Sequence, residues 1–445
     1  MPTPTRVRYR VLALGWGLAL LTYIHRQAFV RGMPEIQRSL EFDDRQMGYL
    51  ASAFLVAYGI FQVPCGLLGD RFGARHLLTG LVLAWSLLTA ATALVVFLPA
   101  GVVWTFLVLI GVRILFGICQ AGGFPVWARV VADWMPLSAR GSAQGTIWMF
   151  SRLGGAVGPF LFLWLFRFFE TWSTPFVVLA SLGLVWCAAF WPWFRNRPEE
   201  MKQVNEAERD LINSGRESVA SERSTREGVT HRSEPMPWSQ MLRSVNVWAL
   251  CLMYGVAGFA GNFTTSMLPV YLDKSRRLST GATTVLTSLP LALGIVSCAL
   301  GGILSDWICR HWGSRKWGRR FNGAVGLLLA GLAVLCVPWA ESTWLLAVFL
   351  CISFFGNDLN MGPAWAACAD VGGPFAGTIS GAMNMSGQLF GAAGTTFAGI
   401  MLQRGESDLM FLVFTCAFIL AALCWLAVDV TRPVLRGRSE NVQGL

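Results

Sequence analysis

The sequence predicts an all-α integral membrane protein, with twelve transmembrane helices in two pseudo-symmetric six-helix bundles. Three observations predict this fold: the composition is apolar, long apolar runs recur along the chain, and the two halves of the chain resemble each other. Hydrophobic residues make up 54% of the 445 residues and charged residues only 13%. Because a soluble domain carries about 25% charged residues, this composition indicates a protein embedded in a lipid bilayer.

Apolar runs long enough to cross a hydrocarbon layer about 30 Å thick occur in two groups of six. The first group covers about 11–30, 47–68, 76–98, 102–131, 140–168 and 172–194. The second group covers about 245–272, 281–306, 319–340, 342–369, 375–403 and 407–430. We therefore expect a six-helix bundle over 1–195, a cytoplasmic linker over 196–243, a second six-helix bundle over 244–432 and a cytoplasmic tail over 433–445.

The distribution of lysine and arginine predicts how the chain is oriented. The formal net charge is +10, and most basic residues fall in the tails, the linker and the even-numbered connections. Because basic residues are retained on the cytoplasmic side, we expect both termini in the cytoplasm, and the positive charge does not imply a nucleic-acid partner. The first run lacks a small-residue cleavage site, so we interpret it as an uncleaved span of a multi-pass protein of the cell inner membrane.

The polar residues argue against several other classes of protein. The eleven cysteines form no CxxC pair and no Cys/His cluster, so we interpret them as small hydrophobic residues rather than metal ligands. The sequence has no GxxxxGK[ST] motif, and His76, His231 and His311 are isolated near loops. It therefore predicts neither an enzyme nor a bound cofactor or metal.

A short motif recurs at corresponding positions of the two halves. "GLLGDRFGAR" follows the second apolar run and "GGILSDWICR" follows the eighth, which places Asp70 and Asp306 at equivalent helix ends. An acid at a helix end can pair with basic groups of a neighbouring helix and hold one conformation. We interpret these acids as parts of a gate together with Arg71, Gly73 and Arg75. Duplicated halves around a site at the midplane of the membrane are typical of transporters.

The motif "GLLGDRFGAR" resembles the loop signature of the major facilitator superfamily. Other segments resemble one branch of it, the anion:cation symporters of sugar acids, hexuronates, glutamate or sialic acid: "YIHRQAF", "RILFGICQAGGFP" and "AWAACADVGGPFAGTISGAMNMSGQLFG". The resemblance covers nearly the whole chain except the linker and tails. It implies two bundles that rock around a central site, so that the site opens alternately to each side of the membrane.

The resemblance also implies residues that bind the substrate. Arg26 and Arg113 match arginines that face an anionic substrate, and Tyr23 and Tyr58 match residues that line the same cavity. A charged residue within a span costs about 2.5–3.5 kcal/mol on insertion scales, so it needs a function or a partner. Guanidinium is planar, always charged and bidentate, so two arginines from different helices favour a carboxylate ligand.

Two positions depart from the symporter pattern. That branch usually has an acid before the helix-one arginine and another seven residues after the helix-four arginine, where this chain has His25 and Gln120. Gln120 shares a helix face with Arg113 and can only position a neighbour or a hydroxyl group. An anion bound near Arg26 would favour protonated His25, which makes His25 a candidate for proton coupling. A neutral, hydrogen-bonded histidine is the alternative.

Asp358 is the second candidate for proton coupling. It lies near the middle of its span, where an acid should face a cavity or a basic partner. It is therefore either a displaced coupling site or the structural partner of an arginine. The resemblance implies that Trp365 and Asn384 line the cavity, where polar groups would suit a polyhydroxylated substrate.

The sequence thus predicts a secondary active transporter, a proton-coupled symporter of an organic anion such as a hexonate, hexarate or hexuronate. We expect a monomer in the lipid bilayer, driven by an ion gradient. Two alternatives stay open. One is an organophosphate/phosphate exchanger, which usually needs an arginine in helix seven that 245–272 lacks. The other is an organic anion transporter that uses sodium or facilitated diffusion.

Overall fold

The computed structural model describes residues 3–95, 101–214, 236 and 238–434, and in these residues it is built from helices without a strand. The helices of the first half are α1 (Val7–Leu40), α2 (Asp44–Ile60), α3 (Gln62–Phe72), α4 (Ala74–Leu94), α5 (Val102–Ala121), α6 (Gly123–Trp134), α7 (Arg140–Phe169) and α8 (Thr174–Trp193). Between the halves lie α9 (Glu206–Asn213) and α10 (Trp238–Arg243). The helices of the second half are α11 (Val245–Ser266), α12 (Leu268–Lys274), α13 (Thr280–His311), α14 (Arg315–Cys336), α15 (Thr343–Leu359), α16 (Met361–Gly372), α17 (Ala376–Arg404) and α18 (Ser407–Ala427).

Twelve segments of the described chain cross the membrane. Nine helical stretches are long and apolar enough to span a bilayer, and α2 with α3 forms a tenth span that is bent by 46°. One of the nine, Thr343–Arg404, has 62 residues, which is enough for two spans at about 1.5 Å per residue. The 34-residue α1 is the twelfth, because it is long enough although its internal charges lower its hydropathy. The predicted fold is confirmed.

The apolar runs located the spans better than their ends. The predicted first span covered 11–30, whereas α1 begins at Val7 and ends at Leu40. Its last turns, "RGMPEIQRSL", are polar, so the helix continues beyond the apolar layer, where hydropathy cannot detect it. Residues 96–100, at the end of the third predicted run, and 435–445, in the predicted tail, lie outside the described residues.

The two halves are bundles with equivalent helix contacts. In the first half α1 packs on α7, α2 on α5 and α4 on α8. The corresponding pairs in the second half are α11 with α17, α13 with α15 and α14 with α18. Between the halves, α7 packs on α13 and α3 packs on α17, and these two contacts are also equivalent. The structure therefore has the pseudo-symmetry that the repeated motif predicts.

Small residues bring the halves into backbone contact. A Cβ atom at Gly302 of α13 would collide with the carbonyl oxygen of Gly141 of α7, and one at Gly66 of α3 would collide with that of Gly377 of α17. Since lipid provides no hydrophobic force between helices, such close packing is a main source of their association. These contacts lie on the side of the membrane where the N-terminal residues and α9 meet, which we call the terminal side.

Two acids bind helix N-termini across the interface on the terminal side. Asp70 of α3 accepts hydrogen bonds from the N–H groups of Gly377 and Thr378, which begin α17, at 3.0 and 2.7 Å. Asp306 of α13 accepts hydrogen bonds from the N–H groups of Gly141 and Ser142 in the first turn of α7, at 3.0 and 2.5 Å. The unpaired N–H groups and the positive end of the helix dipole make a helix N-terminus a site for an anion.

The other residues of the predicted gate have different contacts. Asp70 accepts its hydrogen bonds from the backbone and hydroxyl of α17, and Arg129 of the neighbouring α6 interacts with it electrostatically but forms no ion pair with it among the described residues. Arg71 is exposed, and Arg75 donates to the carbonyl oxygen of Trp191 within the first half, at 3.0 and 2.8 Å. Gly73 joins α3 to α4 at a φ of 82°, which favours glycine. The role of these residues as a gate stays a prediction.

A buried network of charged side chains also joins the two halves on the terminal side. Arg319 of α14 donates to Asp306 at 2.7 Å and to Asp370 of α16 at 3.4 Å. Arg140 of α7 donates to Asp370 at 2.8 Å, so the network crosses from one half to the other. All four side chains are buried. Because removing one member would leave a buried charge unpaired, the network holds the terminal side closed.

The segment after the first bundle is tied to the start of α1. Glu208 of α9 is 0% exposed and accepts hydrogen bonds from the N–H groups of Val7 and Arg8 at 2.9 and 3.1 Å, and from the hydroxyl of Thr5. Burial would raise the pKa of Glu208, but these hydrogen bonds outweigh it and hold the pKa below its usual value. The predicted linker thus contains α9 and α10, while 215–235 and 237 lie outside the described residues.

We expect Glu208→Gln to lower the melting temperature of the purified protein near neutral pH, at a cost of about 1–3 kcal/mol for weakened hydrogen bonds to a charged group. Because the folded-state pKa of Glu208 is lowered, its contribution is complete above the ordinary value of 4.5 and is lost as the pH falls through the folded-state value. The difference between wild type and variant should therefore shrink in acid. Asp210→Asn, at an exposed position of α9, is the control, and equal melting temperatures at pH 7 would contradict the prediction.

We expect Asp70→Asn to loosen the terminal side by weakening the charge-assisted bonds to α17. A loss of about 1.4 kcal/mol corresponds to about tenfold faster exchange of the Gly377 and Thr378 amide hydrogens. Hydrogen–deuterium exchange followed by mass spectrometry measures this change. Asp408→Asn, at an exposed acid in the first turn of α18, is the matched control. Unchanged exchange at the start of α17 would show that Asp70 does not hold the interface.

Candidate substrate cavity

A cavity of about 740 Å³, including its mouth, lies between the two halves. Residues of α1, α2 and α7 line it from the first half, and residues of α11, α15, α16 and α17 line it from the second. Gly258 and Gly261 of α11 also border it, and a Cβ atom at Gly258 would meet the backbone of Gly387 on α17. The contacts of Asp70 and Asp306 close the cavity toward the terminal side.

Arg26 reaches the cavity from α1, as the sequence predicts. Its Nε donates to Oε1 of Gln120 at 2.6 Å, and its guanidinium carbon lies 4.2 Å from the ring centroid of Tyr58 and 5.2 Å from that of Tyr23. One of its terminal nitrogens is buried and has no hydrogen-bond partner among the described residues. Arg26 is therefore a fixed positive charge at the cavity, without an acidic partner among the described residues.

Gln120 acts on the cavity through Arg26. It is 0% exposed and does not line the cavity; its amide accepts from Arg26 and donates to the carbonyl oxygen of Thr22 at 3.2 Å. A carboxylate at this position would neutralise Arg26, whereas the amide orients it and leaves its charge intact. The departure from the acid of the symporter pattern therefore leaves Arg26 without a counter-ion there.

Arg113 lies behind the cavity wall and does not line it. Its guanidinium carbon is 3.8 Å from the ring centroid of Phe29 and 4.8 Å from that of Phe54, and its Nε donates to the carbonyl oxygen of Leu50 at 3.5 Å. It has no acidic partner in the part of the chain that the structure describes. Phe54 contacts both this arginine and Arg26, whose guanidinium carbon lies 5.4 Å from the same ring centroid. The ring of Phe54 therefore contacts both guanidinium groups.

His25 faces away from the cavity. It is 1% exposed, and its Nε2 lies 2.8 Å from the carbonyl oxygen of Leu179 on α8. Since a carbonyl oxygen can only accept, Nε2 carries a proton and donates it. His25 and Arg26 are neighbours in sequence but point to different helices, as expected for a helix that turns about 100° per residue. This contact matches the alternative of a hydrogen-bonded histidine.

The predicted tyrosines and Asn384 do line the cavity. Asn384 of α17 donates to Oε1 of Gln62 at 2.6 Å and to the hydroxyl of Tyr58 at 3.4 Å. This contact joins the two halves at the base of the cavity. Tyr23 packs edge-on against Phe124, with 6.3 Å between ring centroids.

Trp365 supports the cavity from below and does not line it. It is 0% exposed, and its indole nitrogen donates to the hydroxyl of Tyr254 at 3.3 Å. Its ring centroid lies 5.3 Å from that of Trp148, and both Tyr254 and Trp148 line the cavity. Trp365 therefore positions lining residues rather than contacting a ligand in this conformation.

An ion pair joins the halves beside the cavity. Arg152 of α7 donates from Nε to Oδ2 of Asp358 and from a terminal nitrogen to Oδ1, both at 2.7 Å. Asp358 on α15 is buried, while Arg152 lines the cavity. The second interpretation of Asp358, as the partner of an arginine, is the one that this conformation shows.

Sequence reasoning missed several lining residues. Arg152 lies within the apolar run 140–168, and the argument from the cost of a buried charge that identified Arg26 applies to it equally. The polar residues Asn262, Thr265 and Gln388 also line the cavity, but isolated uncharged polar residues are common in spans and give no comparable signal.

The cavity combines positive charge with many hydrogen-bonding groups. The guanidinium groups of Arg26 and Arg152 face it, while Asp358 offsets only one of them. The side chains of Asn262 and Gln388 add donors and acceptors from the second half. Such a site suits an anion that also carries hydroxyl groups. Among the described residues, no group of three His, Cys, Asp or Glu could hold a metal ion.

Comparisons with known proteins agree with this architecture. The chain is 27% identical over 427 residues to the probable sulfoacetate transporter of Cupriavidus necator, covering 95% of this chain and 94% of that protein. It is 28% identical over 449 residues to the probable galactarate/D-glucarate transporter of Bacillus subtilis, covering 98% and 95%. The solved structure of a proton:xylose symporter of the major facilitator superfamily, bound to 6-bromo-6-deoxy-D-glucose, superposes with a TM-score of 0.73 at 13% identity. The match covers 96% of both chains.

The family model of the Major Facilitator Superfamily matches residues 15–395. This match runs through both bundles and includes the gate motifs, the cavity and the interface between the halves. The chain therefore belongs to the major facilitator superfamily.

Proposed function

We propose that this protein is a secondary active transporter that carries a sugar acid of the hexonate, hexarate or hexuronate class together with protons, by alternating access. The observation that carries the proposal is Arg26. Its guanidinium is anchored by Gln120 in a central cavity, and one terminal nitrogen has no partner among the described residues. A charge held in low dielectric without a counter-ion favours a ligand of opposite charge. The names of the relatives, transporters of galactarate/D-glucarate and of sulfoacetate, support an organic anion.

The polar surface of the second half supports a hydroxylated substrate. Asn262, Asn357 and Gln388 line the cavity opposite Arg26. Amide groups both donate and accept, so they can pair with hydroxyl groups of either orientation. A site built to bind hydroxyl groups rejects analogues that lack them, because its own polar groups would stay unpaired. We therefore expect polyhydroxylated acids to bind better than simple carboxylates.

Arg113 remains our candidate for a further anion contact. It is buried, with only a long hydrogen bond to a carbonyl oxygen and the faces of aromatic rings around it. Rotation of Phe54 would join Arg113 to the cavity beside Arg26. Cation–π contacts stabilise the Arg113 guanidinium in the present conformation. The contact with Phe29 would remain after Phe54 rotated.

Alternating access has a structural basis in the two equivalent interfaces. In this conformation Asp70 and Asp306 bind helix N-termini on the terminal side, and the cavity is closed on that side. We propose that these contacts open when the halves rock, and that the terminal side is cytoplasmic in the cell inner membrane. A single chain contains both halves and the cavity, so we propose a monomer.

The organophosphate/phosphate alternative is less well supported. It calls for a second arginine in the seventh span, and α11 has no basic residue among its 22 residues. The two arginines at the cavity come from α1 and α7 instead. Sodium coupling or facilitated diffusion of the same anions remains the second candidate, and the ion dependence of transport separates it from proton coupling.

The proposal is tested by ligand binding and by uptake. Purified protein is screened by thermal shift with D-gluconate, D-glucarate, D-glucuronate, sulfoacetate, glycerol 3-phosphate and glucose, because a ligand stabilises the folded state by RT ln(1 + [L]/Kd). Uptake into proteoliposomes is then measured under imposed proton or sodium gradients. We expect sugar acids to bind and to accumulate with the proton gradient. A shift with glucose alone, or uptake of glycerol 3-phosphate in exchange for phosphate, would overturn the proposal.

We expect Arg26→Gln to weaken binding of the best sugar acid about 10- to 150-fold, which corresponds to loss of a charged hydrogen bond worth about 1.5–3 kcal/mol. Arg26→Lys keeps the charge but loses the contact of Nε with Gln120. Its affinity should therefore lie between those of the wild type and Arg26→Gln. Isothermal titration calorimetry gives the three dissociation constants. Arg38→Gln, on an exposed part of the same helix, is the matched control. Equal affinity of wild type and Arg26→Gln would contradict the assignment of Arg26.

We expect Arg113→Ala to reduce the transport rate of a sugar acid at least about tenfold, as for loss of one charged contact. The measurement is initial uptake into proteoliposomes, normalised to the amount of folded protein. Arg167→Ala, near the end of α7, controls for the loss of one basic residue. Transport at the parental rate would remove Arg113 from the binding site.

A further inference from the structure

The ion pair of Arg152 and Asp358 controls access to a buried acid. The Asp358 side chain is 0% exposed, whereas the Arg152 side chain is 17% exposed and lines the cavity. Arg152 therefore stands between the carboxylate and the cavity. While the pair is intact, Arg152 shields Asp358 from the cavity and binds both of its carboxylate oxygens.

The other groups around Asp358 are neutral. Sγ of Cys298 on α13 lies 3.6 Å from Oδ2, and Nδ2 of Asn357 lies 3.4 Å from Oδ1. Tyr23 of α1 is close enough to interact electrostatically with both Arg152 and Asp358, and Tyr254 of α11 is close to Arg152. If Arg152 moved away, Asp358 would be a buried carboxylate with two weak neutral donors. Such a group takes up a proton, because burial penalises the charged form.

A second anionic group on the substrate would draw Arg152 away. Arg26 lines the cavity and has no acidic partner among the described residues, so it can bind one carboxylate without disturbing an ion pair. Arg152 already has a carboxylate, so a ligand must replace Asp358 to bind it. Tyr23 borders both arginines, which places them around the same part of the cavity. A molecule with one carboxylate at Arg26 and another within reach of Arg152 therefore competes directly with Asp358.

We propose that the cavity binds a dicarboxylate, whose second carboxylate displaces Asp358 from Arg152 so that Asp358 takes up one proton. Two N–H···O bonds from Arg152 to Asp358 break and two form to the substrate carboxylate. The proton comes from water in the cavity and forms an O–H bond on Asp358. This inference rests on the proposed function and names its substrate class and its coupling group.

The exchange links the proton to the substrate in both directions. Without a dicarboxylate, Asp358 stays paired and does not bind a proton, so protons alone do not occupy the site. When a dicarboxylate is bound, protonation of Asp358 removes the carboxylate that competes for Arg152 and so raises the affinity for the dicarboxylate. By thermodynamic linkage, protonation of Asp358 raises the affinity for the dicarboxylate by the same factor by which the dicarboxylate raises the affinity of Asp358 for a proton. A sugar monocarboxylate that occupies only Arg26 would lack this coupling.

The test measures protons directly. D-glucarate or D-gluconate is added to purified full-length protein in weakly buffered solution, and proton uptake is followed with a pH indicator. We expect about one proton per bound glucarate and none per bound gluconate. The same experiment is run on Asp358→Asn, on His25→Ala and on Glu35→Gln, a half-buried acid paired with Arg38 on α1 and far from the cavity lining. Uptake should disappear in Asp358→Asn and persist in the other two.

A measurement on the wild type alone guards against a variant that fails to fold. If glucarate binding takes up one proton, the dissociation constant of glucarate falls about tenfold for each unit by which the pH is lowered, as long as Asp358 is charged in the free protein and protonated in the complex. The dissociation constant of gluconate stays constant. Calorimetric titrations from pH 6 to 8, on the order of two decades of proton activity, give both slopes.

The outcomes separate this inference from the function on which it rests. Glucarate binding without proton uptake, equal proton uptake with gluconate, or binding of gluconate but not glucarate would each overturn the inference and leave an anion transporter. Uptake that survives in Asp358→Asn but is lost in His25→Ala would assign the proton to His25 instead. If no sugar acid binds the wild type, the proposed function fails and the inference falls with it.

Discussion

The cost of a charge in lipid organises this molecule. A charged side chain in the membrane needs a partner, a cavity or an aromatic cage, and the structure contains all three. Asp306, Arg319, Asp370 and Arg140 satisfy one another on the terminal side. Arg113 is enclosed by aromatic rings, and Arg26 lines the cavity, held by Gln120. Of these charges, Arg26 is the one that borders the cavity without an acidic partner among the described residues, so it is left for a ligand.

Because the halves are pseudo-symmetric, the same contact between an acid and a helix N-terminus occurs at both interfaces. Asp70 and Asp306 are equivalent acids that bind equivalent helix N-termini, and glycines on both interfaces let the backbones touch. Contacts of this kind are made between rigid helices and can be lost together when the halves separate. The ion pair of Arg152 and Asp358 lies above this closed region, where the packed interface ends and the cavity begins. Events in the cavity can therefore influence whether the interface stays closed.

Much of the fold follows from the sequence alone, for a physical reason. Only helices satisfy the backbone of a single span in lipid, so the length and spacing of apolar runs determine the number of spans. The repeated motif predicted the equivalence of Asp70 and Asp306. Arg26 was identified because a charge in an apolar run demands an explanation. The same argument would have identified Arg152, which lies in a run of the same kind.

Partners across the molecule were decided only by tertiary packing. The sequence determined that Gln120 cannot titrate, but only the approach of α5 to α1 made it the anchor of Arg26. It left Asp358 with two interpretations, and the meeting of α7 with α15 supplied Arg152. It offered His25 as a coupling group, and the position of α8 gave it a carbonyl oxygen instead. Local patterns fix what each residue can do, whereas contacts between distant helices depend on how the bundles pack, which no short stretch of sequence encodes.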